Sequence, residues 1–422
     1  MTRDSDTTGG FRLPEIRVST LGTLASLGLG LVAGLGLSKF AVAPRVLAVV
    51  EPVGELWLRG LRMTILPLVV ALLVLGIVQT TAAARAGAVA RRTVGWILGF
   101  YAASGALAMV VMPLWLEWWP IPQAAAGALA GGSEQAAGPV PALSEFLLSI
   151  LPANIVTAAA GGEMLPVVVF FSIFAVAMGR LPEGPRRALV GVFEGLAGVM
   201  MVMIGWVLQI APVGVFALAL SLAVKTGTAA VGALAHYVAL VSGIGGLVLV
   251  AAPIIAVLVA RLSLGAYLRA MAPAFAVAAS TQSSLASLPA MLGACSRLGV
   301  RASTAEFSLP LSVALFRATG PAMNIAVVIY VAHLTGVPVP VGAMAAGVVV
   351  AALAELGTPS LPGAISFVLS IGPVALAMGV PVGPLALLVA VEMLPDLMRT
   401  LGNVAMDVAV TASVDRGGEQ SA

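Results

Sequence analysis

The chain has 422 residues, 60% of them hydrophobic and only 9% charged, with a formal net charge of +3. A water-soluble domain of this length cannot hide so much apolar surface, so the composition points to an all-α polytopic membrane protein. The small positive excess needs no nucleic-acid partner. Cys295 is the only cysteine, which excludes an intrachain disulfide and says nothing about compartment.

Residues 1–18 are polar, carry acids, and lack the form of a secretory signal; they are expected to be a cytoplasmic tail. Apolar stretches follow near 19–41, 52–82, 93–117, 141–180, 190–222 and 237–260. A helix needs about 20 residues to cross the hydrocarbon. Basic residues alternate between the connecting loops. Arg3, Arg12 and Arg17 precede the first span, and Arg85, Arg91 and Arg92 follow the second. Arg180, Arg186 and Arg187 follow the fourth, and Arg261 and Arg269 the sixth. The opposite loops are poorer in charge, which puts the N-terminus in the cytoplasm and six helices within 19–262.

Beyond residue 262 the apolar regions are less regular: 265–300, 304–335, 340–380 and 383–412. Arg297 and Arg301 flank the far end of the first, so both of its ends fall on one side and it is expected to be a re-entrant hairpin. Arg317 is the only Lys or Arg from 302 to 398, which allows 340–380 to be a second hairpin entering from outside. Each has a polar, helix-breaking centre, 280-STQSSLASLP-289 and 356-LGTPSLPGA-364. Irregular backbone at membrane depth is tolerated only where protein or a cavity surrounds it, and paired broken segments mark transporter binding sites. Hairpin then helix occurs twice with opposite entry, an inverted repeat in topology. The reading is eight transmembrane helices plus two re-entrant helical hairpins, with a core over 263–414 and a tail over 415–422.

The last apolar stretch carries Glu392, Asp396, Arg399, Asn403 and Asp407. At about 100° per residue these five share an arc of about 80°, on a stripe roughly 22 Å long. Ionised groups at that depth are costly and mark functional sites. Arg399 can grip a carboxylate with two prongs, Asp396 can receive an ammonium, Asn403 can bind a second carboxylate, and Asp407 is a hard oxygen ligand for Na⁺ or a proton site. The set matches an acidic amino acid.

These residues resemble the dicarboxylate/amino acid:cation symporters, the family of the glutamate transporters. The likeness extends to 57-WLRGLRMTILPLVVALLVLGI-77, 151-LPANIVTAAAGGEMLPVVVFFSIF-174, 207-VLQIAPVGVFALAL-220 and both hairpin centres. It implies a homotrimer in the inner (plasma) membrane. Helices 1, 2, 4 and 5 would form a scaffold, and an elevator-type transport domain would be made of helices 3 and 6–8 with both hairpins. By position it implies Asp396 at the substrate amine, Arg399 at its side-chain carboxylate, Asn403 at the main-chain carboxylate and Asp407 at Na⁺. Ser284, Thr358 and Gly363 would line the substrate site, and Tyr101 and Ser104 would lie near a cation. No cofactor is expected beyond Na⁺ or H⁺ as coupling ion.

One stretch departs from the family. Where it carries Asn-Met-Asp-Gly-Thr, this chain reads Phe316-Arg317-Ala318-Thr319-Gly320, so one sodium site is expected to be missing or weakened. Gln282 replaces an arginine common at the first tip. Arg317 and Glu355 fall at two places that in the family approach one another beside a sodium site. They are expected to act with Glu392 in coupling, Arg317 as a tethered cation pairing with Glu355 or Asp407. Alternatives are a C4-dicarboxylate:proton symporter, a transport-dead or sensory relative, and a channel. An enzyme is disfavoured: His236 and His333 lie far from the stripe, and Ser284 has no evident base partner.

Overall fold

The computed structural model describes residues 20–85, 87–121, 151, 153–161, 163–227, 229–357 and 363–419. Every regular element among them is helical. The first half comprises α1 (Thr20–Leu37), α2 (Ala43–Arg85), α3 (Ala88–Trp118), α4 (Ile155–Ala160), α5 (Met164–Met178), α6 (Glu183–Gln209), α7 (Ala211–Thr226) and α8 (Ala229–Leu258). The stretch 190–222, expected as one span, is two helices. Pro212 lies in the first turn of α7, and lacking an N–H it cannot continue the ladder of α6, so the chain breaks at Ile210. The expected span over 141–180 begins outside the described residues. Met63–Ala82, Ala88–Trp118, Glu183–Gln209, Gly232–Leu258 and Ala302–Thr335 are long and apolar enough to cross a bilayer. The last helix does not qualify, because its charges offset its apolar residues.

The second half is built from broken pairs. Helices α9 (Leu264–Thr281) and α10 (Ser284–Arg297) pack against each other. Arg297, at the end of α10, donates from Nη2 to the Ala270 carbonyl early in α9 at 2.8 Å, so the open ends of this hairpin lie together. Its turn is made by Gln282 in the left-handed region (φ 49°), uncommon for a side-chain-bearing residue. Ser283 then caps α10, its Oγ accepting from Ala286 N at 3.2 Å. One of the serines that mark this centre in the sequence, Ser283, is thus its capping residue.

Next come α11 (Ala302–Leu315) and α12 (Gly320–Thr335), a single apolar run interrupted over Phe316–Thr319. Pro321 in the first turn of α12 forces the restart. Helices α13 (Val341–Gly357) and α14 (Gly363–Ala377) pack together as a second pair. A short helix α15 (Leu385–Leu388) and a 3-10 turn (Val389–Val391) lead into α16 (Met393–Glu419). Helix α16 runs past the boundary set at residue 414 and is buried through Asp415.

The core lies where α12 and α16 meet their neighbours. Every residue of α12 from Gly320 to Ala332 is buried, as is every residue of α16 from Gly402 to Asp415. A helix enclosed on all sides must satisfy any polar group it carries from its neighbours. That condition makes the few polar residues of α12 and α16 informative.

The far end of α16 shows how tightly this is done. Arg301, just before α11, donates from Nε to Asp415 Oδ1 at 2.7 Å and from its backbone N–H to Oδ2 at 3.2 Å, while Thr304 Oγ1 donates to Oδ1 at 2.6 Å. Asp415 lies beyond the apolar span. Burial raises its pKa, but the Thr304 hydroxyl and then Arg301 override this and hold the carboxyl below its usual range. A depressed carboxylate stabilises the fold above its unfolded value near ~3.9 and stops doing so as pH falls through the folded value. Asp415→Asn is therefore expected to lower the melting temperature by a few degrees at pH 7. The gap to wild type should close as the pH is taken below the ordinary carboxylate range, as followed by thermal melts in detergent.

Candidate functional site

The charged stripe gathers at the start of α16. Glu392 closes the 3-10 turn, Asp396 sits in the first turn of α16 and Arg399 one turn further on. Arg399 Nη2 donates to Glu392 Oε1 at 3.2 Å, Nε lies 3.7 Å from Asp396 Oδ1, and Nη1 donates to Asn324 Oδ1 at 3.1 Å. All are nearly enclosed: Glu392 is 1% exposed, Asp396 5% and Arg399 7%. Tyr237 of α8 adds a hydroxyl to Glu392 Oε2 at 3.3 Å.

Asn324 connects this cluster to the second hairpin. Its Nδ2 donates to Glu355 Oε1 at 2.7 Å, and Ser370 Oγ of α14 reaches its Oδ1 at 3.5 Å. Glu355 lies in the last turn of α13, 2% exposed. Its Oε2 is 3.9 Å from Arg317 Nε. Arg317 stands in the break between α11 and α12. There its backbone N–H donates to the Tyr101 hydroxyl at 2.8 Å, and that hydroxyl donates to the Leu315 carbonyl at 2.6 Å. Tyr101 thus braces the broken backbone. Ser104 turns its hydroxyl to the Tyr101 carbonyl of its own helix, at 3.3 Å.

Gly320, first in α12, faces Glu355 directly. A Cβ placed there would overlap the carboxyl group of Glu355. The absence of a side chain at 320 and the presence of a long acid at 355 are two sides of one packing solution.

Further along the stripe, Asn403 Oδ1 accepts from the Thr319 backbone N–H at 2.9 Å and from its hydroxyl at 2.8 Å; that hydroxyl also lies 3.2 Å from the Arg399 carbonyl. Asp407, a turn deeper, is fully enclosed, and neither carboxylate oxygen has a hydrogen-bond partner among the described residues. The first hairpin reaches this region through Gln282, whose Nε2 donates to the Met393 carbonyl at 3.3 Å. Ser284, half-buried, begins α10 beside that turn. Thr358 lies outside the described residues, and Gly363 is the first residue of α14.

Of the expected residues, Glu392, Asp396, Arg399, Glu355 and Arg317 join one network, and Asn403 is tied to it through Thr319. Three participants were missed by sequence reasoning: Asn324, Thr319 and Tyr237. The signal for Asn324 was present, as the one amide in the apolar run 320–335.

A resident sodium ion, which the resemblance implies, can be tested against these residues. Hard cations need several converging oxygens. Among the described residues no group of three or more His, Cys, Asp or Glu could hold a metal ion. Phe316 and Ala318, both buried, offer no side-chain oxygen at the break, and Arg317 brings a positive charge instead. The Asn403 carbonyl is engaged by Thr319. Among the described residues Asp407 is the buried carboxylate with no hydrogen-bond partner on either oxygen, and the side chains at the break add no uncommitted oxygen beside it, so they do not fit a sodium site.

A sequence profile of the sodium:dicarboxylate symporter family matches residues 20–417. The chain is 27% identical to the proton/glutamate-aspartate symporter of Escherichia coli over 85% of this chain and 83% of that protein. It is 25% identical to the proton/sodium-glutamate symport protein of Bacillus subtilis, over 86% and 84%. To a C4-dicarboxylate transport protein of Solibacter usitatus it is 26% identical, over 90% and 88%. With almost every described helix inside the matched region, the chain belongs to the sodium:dicarboxylate symporter family, whose members are transporters and not enzymes.

Proposed function

We propose that this protein is a secondary active symporter that carries acidic amino acids, aspartate or glutamate, across the plasma (inner) membrane on a cation gradient. The observation that carries this reading is the Asp396–Arg399 pair, one turn apart on an enclosed helix and 3.7 Å from each other. A guanidinium and a carboxylate at that spacing offer complementary charge to the side-chain carboxylate and the ammonium of the same substrate. The E. coli and B. subtilis relatives, both named for glutamate, support it.

Arg399 already contacts Glu392, Asp396 and Asn324, so an incoming carboxylate exchanges with one of them. Charge-assisted pairing makes that exchange worthwhile only for an anion able to use the planar fork. The two helix pairs α9–α10 and α13–α14 act as re-entrant hairpins on either side of the site, within eight membrane spans and with the N-terminus cytoplasmic. Helix α3 together with α8–α16 moves as an elevator against a scaffold of α1, α2 and α4–α7 that assembles as a homotrimer. This arrangement rests on the family resemblance and on the charge alternation of the loops.

A C4-dicarboxylate is the second reading, favoured by the Solibacter relative and by the commitment of Asp396 to Arg399. Uptake of labelled aspartate, glutamate and succinate into proteoliposomes separates the two. Aspartate uptake above succinate uptake, with Asp396→Asn cutting aspartate transport at least ~30-fold and succinate far less, is expected from loss of a desolvated charge pair. Equal losses for both substrates would remove the ammonium role of Asp396.

A further inference from the structure

The four residues Phe316–Thr319 interrupt a run that is otherwise helical from Ala302 to Thr335. Such a break exposes backbone carbonyls, and in a cation-coupled family the nearby side chains would be expected to supply further oxygens. Here two of the four are a phenyl ring and a methyl group, a third is Arg317, and the one hydroxyl, of Thr319, is turned to Asn403 and the Arg399 carbonyl. Its guanidinium is 11% exposed and stands 3.9 Å from a carboxylate 2% exposed. Both charges are therefore taken out of water, a cost that only close pairing and further hydrogen bonds offset. The surroundings supply a hydrogen bond to the carboxylate and hold the backbone beneath the guanidinium. Tyr101 fixes the Arg317 backbone, Asn324 donates to Glu355 at 2.7 Å, and Gly320 leaves the space the Glu355 carboxyl fills.

Charge counting points the same way. Glu355, Glu392, Asp396 and Asp407 face Arg317 and Arg399, four carboxylates against two guanidiniums, and an acidic substrate adds another negative charge. Glu392 and Asp396 share Arg399, and Glu355 faces Arg317. Among the described residues Asp407 makes no hydrogen bond, and Arg317 is the cation that acts on its charge. Remove Arg317 and Glu355 and Asp407 lose this guanidinium at once.

We propose that Arg317 is a built-in cation: its guanidinium takes the place of a bound sodium ion between the broken helix and the second hairpin, so the hairpin packs on α12 without Na⁺. This rests on the symport reading above and specifies its coupling. Sodium is not required to hold Glu355 in place, and the protein's stability does not depend on it.

The test reads stability as well as transport. Purified full-length protein is melted in NaCl and in choline chloride, without substrate, for wild type, Arg317→Met and Arg317→Lys. A cation that binds only the folded state raises its stability with concentration. Wild type and Arg317→Lys are expected to melt at the same temperature in both salts. Arg317→Met is expected to melt lower in choline and to recover in part with NaCl. In proteoliposomes, wild-type aspartate uptake should agree within about twofold between the two salts, and Arg317→Met should lose at least ~10-fold in choline. A wild type whose melting temperature rises steeply with Na⁺ overturns the proposal, as does an Arg317→Met protein indistinguishable from wild type in choline. Absence of aspartate and succinate uptake by a protein with the expected melting pattern would instead sink the symport reading.

Discussion

Arg399→Ala is expected to abolish uptake of acidic substrates, with a loss of at least ~100-fold. The guanidinium ties the start of α16, through Glu392 and Asp396, to α12, through Asn324. Removing it costs the transported anion its charge-assisted fork and leaves two acids enclosed without their cation. Breaking a buried pair by deleting one partner typically costs about 3–5 kcal/mol, and each ~1.4 kcal/mol is tenfold in an equilibrium constant. Because part of that cost falls on the fold, Arg399→Lys provides the control. It restores the charge but not the planar fork, so it cannot reach Glu392, Asp396 and Asn324 together. The lysine variant should melt close to wild type yet still transport acidic substrates at least ~10-fold more slowly. Wild-type uptake by Arg399→Lys would show that a point charge suffices and that the fork plays no part in recognition.

Gly320→Ala is expected to have the second largest effect, although it adds one methyl group. The new Cβ enters the space of the Glu355 carboxyl, so the carboxylate must move away from both Arg317 and Asn324. Overpacking costs about 1–3 kcal/mol in a well-packed interior, and here the displaced group is also a charge. Glu355→Ala by itself leaves Arg317 beside no acid from the hairpin. Since both changes act through the same carboxylate, their effects on melting temperature should be far from additive. The double variant should be scarcely worse than Glu355→Ala. Strict additivity would mean that Gly320 serves something other than room for Glu355.

Much of this site could be read from the order of residues. The face shared by Asp396 and Arg399 is a property of one helix, and helical period alone brings them together, with Glu392 joining from the 3-10 turn just before it. The hairpin turn at Gln282 was legible for a similar reason, since serines with capping chemistry sit where one helix must stop and another start. Contacts between distant helices were less accessible. Asn324 meets Arg399 and Glu355 only because α12 lies between α13 and α16. Thr319 reaches Asn403 only because the broken backbone turns its N–H outward from the helix. The split at Ile210 is a different case: Pro212 announced it, but an uninterrupted apolar run outweighed one proline in the reading of 190–222.

The interlock of Arg317, Gly320 and Glu355 has a bearing on descent. A lineage cannot acquire the acid at 355 while a side chain fills 320, nor keep it comfortably without the base at 317. The three positions should therefore pass between relatives as a set, with intermediates rare. Homologous chains that carry arginine at the first position should show glycine and glutamate at the others, and chains lacking it should show neither.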